Sequence, residues 1–312
     1  MKRLFLCLWV GSAVLLLSGC KVTRPMLEAI VSASNKVSGK LTYADSCRHA
    51  TDIPYVEGGT SSQVMDIYYA DGENRRDAVL IDIHGGFYVA GNRKNNRSFA
   101  SVFLKEGYDV VLLEYRLNDG DLDVADELQD CATALDYLVD HAAERGLNKD
   151  RMFLTGDSAG GHLALYLAEG AVDASLPVRP ERFKPKGVLL NCPAYDFATF
   201  AHSGSFSKSA LEWFIGPRYQ DAAWMASMSP RTFIGSYTGP LFVSTCTRDF
   251  IRGQALLVKS DCDALGRPVE FMDMASDDRA VGHVHNVVNP DLSESQAVNA
   301  GMIRFMEQYG EE

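Results

Sequence analysis

LTGDSAGGHLAL, residues 154–165, passes from an apolar run into a helix-forming run across one junction, and Ser158 stands at that junction between Gly156 and Gly160. Two readings compete for this spacing. Glycine and serine are ordinary turn residues, and a plain tight loop would use them. A sharp strand-to-helix corner uses them differently: the flanking glycines relieve crowding while the serine hydroxyl is pushed out above a sheet. The second reading requires a strand before the serine, a helix after it, and a parallel sheet around both.

The rest of the chain supplies that setting. QVMDIYYA (63–70) alternates partly, like a half-buried strand. AVLIDIHGG (78–86), DVVLLEYR (109–116), RMFLTGDS (151–158), GVLLNCPAY (187–195), LFVSTCT (241–247) and VEFMDMA (269–275) are short, nearly continuous apolar runs. Such runs suit central parallel strands covered on both faces. Between them lie helical patterns. After Val124, Leu128, Ala132, Leu135 and Val139 recur on one helix face. AGGHLALYLAEG is apolar nearly all round, and Val298, Met302, Phe305 and Met306 form a closing stripe. Strands alternating with helices predict an α/β chain with a mainly parallel sheet. The organisation expected is a leader over 1–19, a tether and leading segment over 20–60 with a helix near 26–34, and one catalytic domain over 61–312. Residues 196–236, rich in Phe, Trp and Met, interrupt the alternation. An insertion of that length reads as a helical lid, or as a surface excursion with its own small core.

At 312 residues with 46% hydrophobic content the chain can bury a large core. A net charge of −11 and a pI near 5.1 exclude the basic face that a nucleic-acid binder needs. The first twenty residues pair a basic start, Lys2 and Arg3, with an apolar stretch over 4–17 too short to span a bilayer comfortably. They end in Leu17-Ser18-Gly19-Cys20, which resembles the lipobox of bacterial lipoproteins. That resemblance implies cleavage before Cys20, its acylation, and anchoring to a membrane of the cell envelope, the outer one in a Gram-negative host. Lys21 rather than aspartate follows. Of the remaining cysteines, Cys47, Cys131, Cys192, Cys246 and Cys262 are odd in number and lack zinc-ligand spacing. Cys131, Cys192 and Cys246 read as small buried hydrophobes.

The elbow Gly156-Asp157-Ser158-Ala159-Gly160 aims helix-start amides at the hydroxyl, so the Ala159 N–H is placed to stabilise an oxyanion. His84-Gly85-Gly86 ends an apolar strand, and the Gly85 and Gly86 amides at the same sheet edge would complete the hole. His84 itself reads as a brace for that loop. Together, HGG (84–86), EYRL (114–117), GDSAGGHLA (156–164) and TRD (247–249) resemble, in order and spacing, the α/β-hydrolase fold. The resemblance is to its hormone-sensitive-lipase-like and carboxylesterase group, over about residues 60–310. Three departures stand out. Phe87 occupies the place of a third glycine, Asn118-Asp119-Gly120 replaces the group's Ala-Pro-Glu, and the long N-terminal cap of the lipase-like members is missing.

A serine at its own pKa is a poor nucleophile and needs a base, itself oriented by an acid. In the fold that the motifs resemble, the chain order is serine, acid, histidine. That order makes Asp249 the acid and leaves His283 and His285 as bases. Residues two apart on an extended stretch share a face, so geometry alone excludes neither. The resembling group carries His-x-Phe here, which points to His283. Asp157 and Asp82 are nearer Ser158 in the motifs, but the elbow's second position points away from the base, and Arg116 with Asp130 reads as a structural pair. His283-x-His285 lacks the further ligands that a metallohydrolase requires, so no metal and no cofactor is implied. The function expected is cleavage of a small-molecule carboxylic ester through an acyl-enzyme on Ser158, with Phe87, Tyr88 and the aromatic 196–236 segment lining an apolar acyl or aryl pocket. A peptidase or amidase on the same elbow, and a non-catalytic surface binding protein, are the other classes open to this scaffold.

Overall fold

The computed structural model describes residues 42–202 and 208–310, without the side chains of 201–211. The leader, Cys20 and the helix expected over 26–34 lie outside the described residues. Each apolar run becomes a strand: β2 (Val64–Tyr68), β3 (Val79–Ile83), β4 (Asp109–Leu113), β5 (Met152–Asp157), β6 (Val188–Asn191), β7 (Leu241–Cys246) and β8 (Glu270–Met274). One strand comes ahead of them. β1 (His49–Pro54) falls in the segment read as a tether and forms the antiparallel edge beside β2. Residues ahead of 61 thus belong to the sheet, through β1. The sheet runs β1-β2-β4-β3-β5-β6-β7-β8, parallel from β4 to β8 and antiparallel at β1/β2 and β2/β4.

Alternation divides the strand side chains between two cores. Val79, Ile81, Ile83, Val111 and Leu154 face one layer, with Leu128 and Leu135 of the long helix α2 and Leu163 and Leu167 of the elbow helix α3. Leu80, Val110, Leu112 and Phe153 face the other, with Phe99 and Phe103 of α1 and Met302 and Phe305 of α10. These helices are α1 (Arg97–Lys105), α2 (Val124–Arg145), α3 (Ala159–Gly170) and α10 (Ser293–Gly310). The stripe expected after Val124 is the buried face of α2. Asp123 accepts from the Ala125 N–H at its start, and Gly146 takes the left-handed conformation at its end. The insertion is helical: α4 (Phe197–His202), α5 (Lys208–Ile215), α6 (Ala222–Ser227) and α7 (Pro230–Phe233). α8 (Arg252–Ala264) follows β7, and the short α9 (His285–Val288) precedes α10.

The parallel strands β3, β5, β6 and β7 all end at one edge of the sheet. The residues that follow them carry the site.

Candidate active site

Ser158 links β5 to α3 with φ 55° and ψ −117°, a conformation that a residue with a side chain holds only under strain. The glycines explain how the corner closes. A Cβ on Gly156 would stand 2.3 Å from the Gly160 carbonyl oxygen, and one on Gly160 would stand 1.9 Å from that of Ile83. Helix, strand and neighbouring strand meet backbone to backbone. Ser158 makes no side-chain cap on its own helix, and it is nearly buried.

Asp249 lies in the turn after β7. The His283 Nδ1–H donates to its Oδ1 at 2.7 Å, the Ile251 N–H to the same oxygen at 3.0 Å, and the Thr245 hydroxyl to Oδ2 at 2.8 Å. Burial alone would push the Asp249 pKa up. The charge of His283 and these three hydrogen bonds outweigh it and hold the carboxyl below its ordinary value. Because this bond uses Nδ1, Nε2 is the ring nitrogen left to take a proton. The structure separates the two histidines. His285 is buried, its Nδ1 pairs with the Ser295 hydroxyl at 2.9 Å, and burial pushes its pKa down to about 4.

The expected oxyanion amides divide as well. The Gly85 N–H donates to Asp157 Oδ1 at 3.2 Å, so it is committed to bracing and does not face a substrate. Asn96 Nδ2–H groups hold the same side chain at 2.9 Å and the Asp82 carboxyl at 2.8 Å. This corrects the sequence assignment of Gly85, whose amide direction depends on a side chain arriving 72 residues later. Among the described residues, the amides of Gly86, Phe87 and Ala159 have no protein acceptor. Gly86 has φ 140°, and Phe87 and Tyr88 take φ of 58° and 64°, which turns the loop across the end of the sheet. His84 braces it from below. Its Nδ1–H reaches the Gly85 carbonyl at 2.8 Å and its Nε2–H reaches Glu114 at 3.2 Å. Its ring stacks on Tyr115. Burial disfavours the imidazolium, yet Glu114 and the Gly85 carbonyl raise the His84 pKa. Arg116 and Asp130 pair at 2.8 Å, the structural role expected.

A narrow cleft lies over Ser158 and Ala159, walled by Phe87, Tyr88, Phe214 and Phe250. Phe87 stacks between two of them, 4.9 Å from Phe214 and 5.8 Å from Phe250. Phe250 in turn stands 4.3 Å from the His283 ring. Phe87 and Tyr88 are thus in the wall expected of them. Phe214 comes from the aromatic insertion expected to contribute to that wall, whereas Phe250, a lone aromatic next to the acid in the sequence, was not anticipated. Cys192 was also missed. All five described cysteines are buried and free, but Cys192 Sγ, a carboxylate oxygen of Asp249 and a ring nitrogen of His283 lie within 4.8 Å of one another. Asp249 and His283 hydrogen-bond each other, and the sulfur accepts the Val284 N–H at 3.2 Å, so the donors are already satisfied without a cation.

Known proteins share both the sequence pattern and the architecture. The chain is 31% identical to lipase 2 of a Moraxella species over 97 residues, which are 31% of this chain and 22% of that one. It is 24% identical to the putative alpha/beta hydrolase R526 of Acanthamoeba polyphaga mimivirus over 286 residues, 86% and 79% of the two chains. The chain therefore spans about a fifth of the length of the first and about four fifths of the second. Among solved structures, esterase B from Lactobacillus rhamnosis superposes with a TM-score of 0.80 at 23% identity, covering 96% of each chain. The fold is the α/β-hydrolase fold. The BD-FAE family profile matches residues 65–252, more than half of the chain and every strand from β2 to β7, so the chain belongs to the BD-FAE family.

Proposed function

We propose that the protein is a serine carboxylester hydrolase acting through an acyl-enzyme on Ser158. The observation that carries this reading is the 2.7 Å Asp249–His283 hydrogen bond at the same sheet edge as the strained Ser158 elbow. Ser158 Oγ attacks the ester carbonyl while His283 Nε2 takes its proton. Asp249 keeps the Nδ1 tautomer and stabilises the imidazolium that forms. The amides of Ala159, Gly86 and Phe87 bind the oxyanion, each such donor contributing roughly 10²–10³ in rate. The imidazolium then protonates the leaving alcohol, and water repeats the sequence in reverse to release the acid. The aromatic wall suits a short or aryl acyl group. Esterase B, a structural neighbour, has been solved with a C4-C4 tributyrin phosphonate inhibitor.

A panel of p-nitrophenyl esters of graded acyl length, with matching anilides, tests this. Short-chain or aryl esters turn over with kcat/KM at least a hundredfold above the anilides. Equal rates on the anilides would assign the elbow to an amidase instead. The lipobox-like tetrapeptide supports a further proposal, that the mature chain is anchored to the cell envelope through acylated Cys20. The native protein then partitions into detergent, and Cys20→Ala releases it or blocks its processing. Freely soluble native protein cleaved at another site would remove the anchor.

A further inference from the structure

Cys192 follows β6 with φ 47°, and Val284 follows His283 with φ 50°. Neither is glycine, and Val284 is β-branched, so both hold a conformation that only surrounding contacts sustain. One contact joins them: the Val284 N–H donates to Cys192 Sγ at 3.2 Å. Cys192 is itself fixed, because its N–H donates to the Ser244 carbonyl of β7 at 2.8 Å. Two residues on, the Ala194 N–H donates to the Ser158 carbonyl at 3.1 Å. The sulfur therefore ties the residue after the base to a backbone segment that is tied to the nucleophile. It also sits beside the acid, with an Asp249 carboxylate oxygen and a His283 ring nitrogen inside the same 4.8 Å cluster.

Resting on the proposed hydrolase reading, we infer that Cys192 is a positioning residue of the Asp249–His283 pair. It grips the amide behind the base and presents a neutral thiol to the acid. The choice of sulfur has a physical reason. Burial first, and then the Asp249 charge, push the thiol pKa far above its ordinary value, so the group stays an S–H. A thiol donates weakly, whereas a hydroxyl in the same place donates a strong hydrogen bond to a carboxylate. A serine would draw charge from Asp249 and reduce its support for the imidazolium. An alanine would leave the Val284 N–H unpaired and the base loop held by less. The other titratable groups that feel this pair are Asp157 on the elbow side, Cys246 at the end of β7, Arg252 on α8 and His285 beyond the loop.

Cys192→Ala and Cys192→Ser test the inference in protein whose wild type turns over esters and labels at Ser158. A wild type without turnover would sink the hydrolase reading itself and is recognised separately. Cys192→Ala lowers kcat about tenfold with KM within twofold, since a misplaced base costs rate rather than binding. Its downfield proton resonance from the Asp249–His283 hydrogen bond shifts or broadens. Cys192→Ser, which keeps an acceptor for Val284, restores kcat to within about threefold and moves the acid limb of kcat/KM to lower pH. Cys192→Ala with kcat within twofold of wild type and an unmoved resonance would make Cys192 a packing residue and overturn the inference. If Cys192→Ala does not fold, Cys192→Ser decides alone, and an acid limb coincident with wild type overturns it.

Discussion

His283 and His285 stand two residues apart and have unrelated surroundings, because Val284 between them turns left-handed. On a plain extended stretch they would share a face, which is why geometry by itself left both open, and the resembling group's His-x-Phe register, with the base first out of the loop, chose His283. The backbone turn sends one ring to Asp249 and the other to Ser295. His283→Ala is accordingly expected to cost kcat on the order of 10⁴ or more, as loss of the nucleophile does. His285→Phe keeps turnover within about tenfold of wild type. The reverse pattern in steady-state assays on a p-nitrophenyl ester would move the base to His285. Ser158, Asp249 and His283 were legible because motif and chain order name them. The direction of the Gly85 amide and the contact of Cys192 with Val284 were not. Each depends on a partner that only the folded sheet brings up, 72 and 92 residues away.

The elbow is an element-scale device, since α3 and β3 approach so closely that Gly160 has no room for a Cβ beside the Ile83 and His84 carbonyls. Gly160→Ala must separate helix from sheet, an overpacking cost of about 3 kcal/mol. Gly146, at the end of α2 with φ 67° and open space around it, provides the comparison: Gly146→Ala meets conformational strain alone, about 1 kcal/mol. Urea melts of the two variants distinguish them, and equal losses would show that close approach does not fix the corner. The central strands were readable because burial on both faces leaves a continuous apolar run. β1 was not, because at the sheet edge only Ile53 of its six residues is buried. In α1, Phe99, Ala100, Phe103 and Leu104 do show the helical spacing. That signal is short and bordered by the polar run RKNNR, so it is weaker than the longer helical patterns.

Across the whole molecule, burial leaves several carboxyls that the mechanism does not require to be charged. Asp82, fully buried and next to Asp157, is pushed up to about 8, and burial pushes Glu127 and Glu169 well above the ordinary glutamate range. Between pH 6.5 and 8 the folded chain keeps protons on these groups that the unfolded chain has released. More protons bound in the native state means that stability falls as pH rises through this window. The buried His162 and His285, both pushed down to about 4, lose stability as pH falls below about 6.5 and leave the window to the carboxyls. The melting temperature is therefore expected to drop from pH 6.5 to pH 8. Asp82→Asn, which keeps an oxygen for the Asn96 amide, makes that drop smaller. A melting temperature that rises over this interval, or an undiminished drop in Asp82→Asn, would contradict the assignment of Asp82 as a protonated core group.

The central claim, that the Ser158 elbow and the Asp249–His283 pair form one nucleophilic unit, meets its most direct test in active-site labelling joined to turnover. Purified wild type and Ser158→Ala are treated with a fluorophosphonate, the labelled peptide is mapped by mass spectrometry, and both proteins are assayed on a short-chain p-nitrophenyl ester. The label is predicted on Ser158 of the wild type and absent from the variant, with kcat lower by on the order of 10⁴–10⁶ and the far-UV circular dichroism unchanged. A label mapped to another residue, or a Ser158→Ala variant within tenfold of wild-type turnover, would contradict the account.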